Sequence, residues 1–268
     1  MVNKKIKISI IGAGAMGGAI ARAVAGSKKP WSLTVVNSHM EKLLALKKEC
    51  QGISVAVDYN LLSDADVVIL AVKPQIFPEV AKAIAPILSK NTLVISIMAG
   101  VSIKNISRAL GAKRVVHAMP NLGAQFSESM TVWAGSGLTA ADKKFASDFF
   151  VLLGEQIYVA DEDMVNKATA VSGSGVGFFT YMVEAYITEA TKLGFSAKEA
   201  NQIVLQTLKA TNTLLQKKDR TPAEIRAAVT SKAGTTEAGL TVLMGNQFSK
   251  ILGQTLQKAY KRAKQLSK

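Results

Sequence analysis

The glycine-rich run Gly12-Ala-Gly-Ala-Met-Gly17 is the strongest constraint on the fold of this chain. It follows the apolar segment Ile6–Ile11 directly and opens a segment with helical spacing, which is the context that a dinucleotide-binding loop needs. In such a loop the first glycine permits a tight turn, the second lets a pyrophosphate approach, and the third lets helix and strand pack closely. Glycines also serve ordinary tight turns, but in this position the run predicts a dinucleotide site at the start of a helix.

Short apolar runs alternate with helical segments through the first half of the chain. The predicted strands cover residues 6–11, 33–36, 66–72, 93–98 and 115–119, and the predicted helices cover residues 16–25, 40–48, 77–88 and 103–110. This β-α alternation predicts an α/β fold with a Rossmann-like, doubly wound parallel sheet. We therefore expect a dinucleotide-binding domain over residues 1–160.

No strand is predicted after about Asp161. The segments that begin at Ser196 and Thr221 both have the capping-box pattern, so we expect helices to start there. The second part of the chain, residues 161–268, is therefore predicted to be an all-α domain. Apolar stripes follow its helical segments, at Val183, Ile187, Leu193, Ile203, Leu205 and Leu208.

Composition argues against several classes of protein. The 268 residues include 33 Lys and Arg against 19 Asp and Glu, which gives a formal net charge of +14. The chain has no basic strand with interleaved aromatic residues, so we do not expect it to bind nucleic acid. A single cysteine, Cys50, excludes an intrachain disulfide, and with only two histidines we expect no metal site. The apolar runs are too short to cross a membrane, so we expect a soluble, cytoplasmic protein without a membrane partner.

The end of the second predicted strand bears on the choice of cofactor. About 20 residues after the glycine loop, an NAD site places an acid on the ribose, whereas this chain has Asn37-Ser-His39. The Asn37 amide, the Ser38 hydroxyl, and His39 or Lys42 could receive a 2′-phosphate, which predicts that NADPH is preferred over NADH. The same residues could merely begin the next helix.

Two further turns follow predicted strands at the carboxyl edge of the sheet, where doubly wound folds bind ligands. They are Ala71-Val-Lys-Pro-Gln75 and Ser96-Ile-Met-Ala-Gly100, and we expect both to line the nicotinamide pocket, although Lys73 could simply face solvent. The predicted cofactor-binding residues are Gly12, Gly14, Ala15, Met16, Gly17, Asn37, Ser38, Asn60, Ala71, Val72, Lys73, Pro74, Ala99 and Gly100.

Six segments in order make the chain resemble the pyrroline-5-carboxylate reductases. They are GAGAMG, AVKPQ, SIMAG, AMPN (118–121), VSGSG (171–175) and SKAGTT (231–236), and they span nearly the whole chain. The resemblance implies an NAD(P)H cofactor, a Rossmann domain, and a helical domain that intertwines with that of a second subunit in a homodimer or larger homo-oligomer. It also implies NADPH-dependent reduction of 1-pyrroline-5-carboxylate to L-proline, the last step of proline biosynthesis.

The resemblance assigns the substrate to the segment SKAGTT. Ser231 and the nearby amides would hold the substrate carboxylate, and the Thr236 hydroxyl would bond the ring nitrogen, so these two residues are the predicted catalytic residues. From the residues alone, Thr235 or Thr236 could instead cap a helix. The predicted substrate-binding residues are Ser231, Gly234, Thr235, Thr236, Pro120 and Asn121.

The chain departs from the family pattern in three segments. His117, Leu122 and Gly123 replace residues of R-x-M-P-N-T-P, Val176 replaces the proline of S-G-S-G-P-A-Y, and Lys232 with Ala233 replaces the P-G of S-P-G-G-T-T. These changes leave the substrate open. The alternatives are a reductase of another cyclic imine or of a 3-hydroxy acid, and a non-catalytic NADP-binding regulatory paralogue.

Two charged residues near the start of the helical domain have alternative interpretations. Lys167 invites comparison with the catalytic lysine of 3-hydroxy-acid dehydrogenases, but the glycine-rich segment that should precede it is absent. Glu162 matches an acidic position of the family, and we expect it to be an exposed charge. The small residues of VSGSG are expected to let another helix approach.

Overall fold

The computed structural model describes residues 5–217 and 219–267. These residues divide into two compact units. The first contains the described residues up to Ser174 together with those from Ala259 onward, and the second is Gly175–Lys258. This division lies after the domain boundary predicted from the sequence, and it assigns the end of the chain to the first unit.

Within the described residues, an eight-stranded sheet forms the centre of the first unit. The strands are β1 (Ile6–Ile11), β2 (Trp31–Val36), β3 (Ser54–Ala56), β4 (Val67–Leu70), β5 (Leu93–Ser96), β6 (Arg114–Met119), β7 (Ser129–Ser136) and β8 (Gly154–Tyr158). Their order across the sheet is β3-β2-β1-β4-β5-β6-β7-β8, and all neighbours are parallel except the antiparallel pair β6 and β7. The predicted Rossmann-like sheet is confirmed.

The helices of the first unit cover the sheet, and those of the second unit follow one another without strands among the described residues. The helices are α1 (Ala15–Ala25), α2 (Met40–Glu49), α3 (Phe77–Ile84), α4 (Ile103–Leu110), α5 (Ala140–Val151), α6 (Asp163–Ala168), α7 (Gly175–Lys192), α8 (Ala197–Gln216), α9 (Pro222–Ala228), α10 (Thr235–Gly245) and α11 (Phe248–Leu266). Both predicted capping boxes are confirmed, at Ser196 and Thr221. A π-helical turn over Thr169–Gly173 joins α6 to α7.

The central strands are apolar along their whole length because both faces of the sheet are buried. Along β4, Ile69 packs into the hydrophobic cluster on one face, while Val68 and Leu70 pack into the cluster on the other face. Each such side chain contributes about 1.5–3 kcal/mol when it is fully buried. Continuous burial therefore positions the carboxyl ends of β1, β4 and β5 side by side at one edge.

The structure also contains elements that the apolar runs did not indicate. The strands β3, β7 and β8 and the helix α5 were not predicted, and the helix predicted over 77–88 ends at Ile84. The strand β8 is an edge strand with mostly exposed or half-buried residues, so it lacks the apolar run of a central strand. None of the helices in the described ranges combines the length and apolar character that crossing a membrane requires.

Candidate cofactor cleft and substrate loop

The glycine loop joins β1 to α1 at the carboxyl edge of the sheet. Gly12 has φ +108°, and a Cβ at this position would lie 2.5 Å from the carbonyl oxygen of Ala71. A Cβ on Gly17 would overlap the carbonyl oxygen of Gly12. The first and third glycines are therefore required by the turn and by the packing of α1, because any side chain would collide with backbone.

Gly14 occupies a different environment from the other two glycines. A Cβ built on Gly14 would have no heavy atom within 4 Å, so the space beside it is open. Gly14 is also the N-cap of α1, and no side chain caps this helix start. An uncapped helix start beside open space offers free amides and a positive dipole end, which are the properties of a phosphate site.

A cleft of about 310 Å³ lies beside the glycine loop. It brings together the ends of β1, β2 and β4. Its lining residues are Ile11, Gly12, Gly14, Val36, Asn37, Ser38, His39, Lys42, Tyr59, Ala71, Val72, Lys73, Ile76 and Val80. None of these described residues is acidic, whereas Lys42 and Lys73 are cationic, so the lining fits a phosphorylated dinucleotide.

The structure places only part of the predicted cofactor set at this cleft. The predicted residues that line it are Gly12, Gly14, Asn37, Ser38, Ala71, Val72 and Lys73. Ala15, Met16 and Gly17 form the first turn of α1, and Pro74 begins the short 3-10 turn after β4. Asn60, Ala99 and Gly100 do not line the cleft, and their cofactor role stays a prediction.

Five residues that line the cleft were not predicted to do so: Ile11, Val36, Tyr59, Ile76 and Val80. Tyr59 follows the short strand β3, which no apolar run indicated, and Ile76 ends a 3-10 turn. Burial and the nearby Glu79 carboxylate raise the pKa of the Tyr59 phenol. The phenol therefore stays protonated at neutral pH and can donate a hydrogen bond into the cleft.

Asn37 connects the glycine loop to the turn after β2. Its Oδ1 accepts a hydrogen bond from the Ala13 amide at 3.3 Å, and its Nδ2 donates to the His39 carbonyl at 3.4 Å. The side chain thus fixes the shape of the cleft. The Ser38 hydroxyl lies 3.0 Å from Nδ1 of His39, and both residues line the cleft together with Lys42.

Asn121 links three elements after β6. Its Nδ2 donates to the Ser172 hydroxyl at 2.9 Å, its backbone amide donates to the Ser129 hydroxyl at 2.9 Å, and its Oδ1 accepts from the Gly123 amide at 3.0 Å. These bonds give Asn121 a structural role. The predicted contact of Asn121 and the adjacent Pro120 with substrate stays a prediction.

The second unit carries the predicted substrate loop immediately before α10. Gly234 is the N-cap of this helix, and no side chain caps it, so the helix-capping interpretation of Thr235 or Thr236 is wrong. These two threonines are the first two helical residues. A Cβ on Gly234 would overlap the Ser231 hydroxyl, which shows that this hydroxyl lies against the start of α10. The Ser231 hydroxyl therefore lies beside the uncapped start of α10, where the Glu237 carboxylate accepts a hydrogen bond from the Ala233 amide at 2.7 Å.

Comparison with known proteins identifies the family. Residues 162–266 match the family model described as pyrroline-5-carboxylate reductase dimerisation, and residues 7–100 match NADP oxidoreductase, coenzyme F420-dependent. A pyrroline-5-carboxylate reductase of Staphylococcus haemolyticus is 33% identical over 268 residues, which cover 98% of each chain. The chain belongs to the pyrroline-5-carboxylate reductase family.

Solved structures agree with this family assignment. The pyrroline-5-carboxylate reductase of Coxiella burnetii is similar with a TM-score of 0.90 and 30% identity, over 99% of this chain and 100% of that chain. The pyrroline carboxylate reductase of Plasmodium falciparum, solved with NADP bound, has a TM-score of 0.85 and 26% identity, over 98% of both chains. The resemblance seen in the six sequence segments is confirmed.

The substrate loop departs from the reductase family at a structurally demanding turn. The Gly234 amide donates to the Ser231 carbonyl at 3.0 Å, and Ala233 has φ +58° at the third position of this turn. Proline followed by glycine suits such a turn, and this chain has Lys232 and Ala233 instead. A left-handed non-glycine residue costs about 1–2 kcal/mol, so the turn is less stable than the P-G form.

A second departure from the reductase pattern changes a buried polar contact. His117 replaces the family arginine and is 1% exposed, and its Nδ1 lies 2.9 Å from Oε1 of Glu162. The same oxygen accepts a hydrogen bond from the Ile103 amide at 2.7 Å. The prediction that Glu162 is merely an exposed charge is therefore wrong. The spacing of residues in the sequence does not indicate the contact between His117 and Glu162, because the two residues lie 45 positions apart.

Proposed function

We propose that this chain catalyses the NADPH-dependent reduction of 1-pyrroline-5-carboxylate to L-proline, the last step of proline biosynthesis. The observation that carries the proposal is the cofactor cleft. It is lined by the uncapped helix start at Gly14 and by the end of β2, where Asn37 stands in place of an acid. The relative from Staphylococcus haemolyticus, which is named for this activity, supports it over the full length of the chain.

The two proposed domains have different roles in the reaction. Residues 1–160 bind the dinucleotide, and residues 161–268 provide substrate binding and dimerisation. The match to the dimerisation family begins at residue 162, which supports this division. The cytoplasmic location expected from composition stays a prediction.

The proposed chemistry needs positioning more than acid or base catalysis. Bound NADPH supplies the hydride. The first amides of α1 bind the pyrophosphate, and the turn after β4 borders the nicotinamide. Ser231 and the first amides of α10 hold the substrate carboxylate. The Thr236 hydroxyl bonds the ring nitrogen, which holds the imine in one orientation.

The proposed preference for NADPH predicts an unequal effect of removing one cationic side chain. Lys42→Ala should raise the Kd of NADPH about fivefold to tenfold, because one charged contact to the 2′-phosphate is lost, with little change for NADH. Binding titrations of both dinucleotides measure this difference. Lys47→Ala, on the same helix but outside the cleft lining, is the control. Equal changes for both dinucleotides, or tighter binding of NADH by the unmodified protein, would refute the preference.

The helical unit is proposed to form a homodimer or a larger homo-oligomer. Its large exposed apolar side chains include Phe179, Tyr181, Tyr186, Leu193, Ile203, Leu205, Leu208, Val242, Leu243, Met244 and Ile251. Apolar surface on this scale favours association with a second copy, in agreement with the dimerisation family that the unit matches. Light scattering at micromolar concentration should give at least a dimer mass, and a monomer mass would rule the proposal out.

One observation favours a second candidate substrate. Lys232 and Ala233 alter the turn that holds the substrate loop, so a reductase of another cyclic imine is the second candidate. A panel of cyclic imines mixed with NADPH separates the candidates through the absorbance of the cofactor. Turnover of pyrroline-5-carboxylate supports the first, turnover of another imine alone supports the second, and binding without turnover points to a regulatory paralogue.

A further inference from the structure

The segment after β5, residues 97–102, leads from the sheet into α4. It carries Ala99 and Gly100, the two residues predicted to border the nicotinamide. Ser102 is the N-cap of α4 and accepts a hydrogen bond from the Asn105 amide at 3.2 Å. The first turn of α4 has no acidic residue of its own. A carboxylate from elsewhere in the chain can therefore stabilise this helix start.

Glu162 supplies that carboxylate. Its Oε1 accepts from the Ile103 amide, the first amide of α4, at 2.7 Å, and the same oxygen lies 2.9 Å from Nδ1 of His117. His117 is on β6 and pairs in register with Ser96, the last residue of β5. Glu162 thus fixes the far end of the 97–102 segment to the sheet from which the segment departs.

The last turn of α11 contacts the middle of the same segment. Gly100 has φ +74°, and a Cβ on it would lie 2.5 Å from Cβ of Leu266 and 2.8 Å from the Leu266 carbonyl oxygen. Only a glycine allows this approach, so the end of α11 forms one wall of the segment.

Asp163, the neighbour of Glu162, anchors α11 in this position. The Tyr260 hydroxyl donates to Oδ2 of Asp163 at 2.6 Å, and Lys167 lies 3.4 Å from the same oxygen. These contacts, the Tyr260 hydrogen bond foremost, lower the pKa of Asp163, and the same bond raises the pKa of Tyr260. At the last described residue, the Ser267 hydroxyl donates to Oδ1 of Asn166 at 2.9 Å.

We propose that Glu162 and Asp163 are positioning residues for the reduction. The two adjacent carboxylates hold the 97–102 segment from two sides, Glu162 through α4 and β6, and Asp163 through α11. The inference rests on the proposed function, because it takes Ala99 and Gly100 as part of the nicotinamide pocket. Small displacements of a bordering segment change hydride-transfer geometry strongly, even without direct contact between the carboxylates and the reactants.

Two variants with matched controls test this inference. Tyr260→Phe removes the hydroxyl that binds Asp163 and keeps the ring, and Glu162→Ala removes the carboxylate that binds Ile103 and His117. The controls are Tyr158→Phe and Glu155→Ala, on the edge strand β8. Amide hydrogen exchange of residues 97–103 should be about fivefold faster in both test variants and unchanged in both controls.

Ligand binding and turnover supply the second readout. We expect each test variant to bind NADPH about threefold more weakly, with unchanged affinity for adenosine 2′,5′-bisphosphate, which lacks the nicotinamide. The kcat with pyrroline-5-carboxylate should fall about fivefold to tenfold, with a larger isotope effect from deuterated NADPH, because hydride transfer becomes slower.

The two readouts separate this inference from the proposed function. Unchanged exchange over 97–103 in both test variants would overturn the positioning role. Faster exchange throughout the first unit would also overturn it, because this indicates a general loss of stability. Exchange and binding do not need turnover, so an unmodified protein that fails to reduce pyrroline-5-carboxylate would refute the proposed function alone.

Discussion

Gly14→Ala is expected to abolish measurable NADPH binding while leaving the folded protein as stable as before. The backbone at Gly14 has φ −76°, which alanine adopts readily, and a Cβ there meets no heavy atom within 4 Å. The added methyl group would stand where the pyrophosphate approaches the start of α1. We expect the Kd to rise at least about 100-fold, or about 2.7 kcal/mol, in a binding titration, with an unchanged midpoint of thermal unfolding.

Two neighbouring glycines provide the controls for this prediction. Gly17→Ala should lose both stability and binding, because its Cβ would overlap the Gly12 carbonyl oxygen. Gly18→Ala should keep both, because its Cβ would meet only the flexible end of Arg22, at 3.4 Å. NADPH affinity equal to that of the unmodified protein in Gly14→Ala would show that the cofactor binds elsewhere.

Thr236→Ala is expected to reduce kcat/KM with pyrroline-5-carboxylate about 10- to 150-fold. This range corresponds to the loss of about 1.5–3 kcal/mol of transition-state stabilisation from one hydrogen bond at the ring nitrogen. Steady-state kinetics measure the loss, and the Kd of NADPH should hardly change. Thermal stability should also change little, because Gly234 and not Thr236 is the N-cap of α10.

A threonine further along the same helix is the control for Thr236. The Thr241 hydroxyl donates to the Glu237 carbonyl at 2.9 Å within α10, so Thr241→Ala tests for a general effect on the helix. We expect near-normal kinetics from this control. Unchanged kinetics in Thr236→Ala, or an equal loss in both variants, would exclude the proposed substrate contact.

The strands that are buried on both faces of the sheet could be predicted from the sequence. The strands β1, β4, β5 and β6 contain adjacent Val or Ile residues, and each was found near its predicted position. The edge strands β3 and β8 were missed because an edge strand buries little, so its sequence shows no continuous apolar run. The helix starts at Ser196 and Thr221 were predicted because capping boxes are local patterns.

The parts of the site that could be predicted are the glycine loop and the ends of the predicted strands β2 and β4. The glycine loop has a fixed spacing, so its turn and its open helix start at Gly14 could be anticipated. The contact of Gly100 with Leu266 and the pairing of His117 with Glu162 could not, because they join residues far apart in the chain. Tyr59 reaches the cleft through the unpredicted strand β3, so its place also had no sequence signal.

The proposed reaction is tested most directly by following the transferred hydride. The purified protein is mixed with 1-pyrroline-5-carboxylate and NADPH that carries deuterium at both C4 positions, and the product is analysed by mass spectrometry and NMR. We expect L-proline with a single deuterium on the carbon that was doubly bonded to nitrogen, formed in step with NADPH oxidation. Bound NADPH that stays unoxidised, or proline without deuterium, would contradict the proposed reaction.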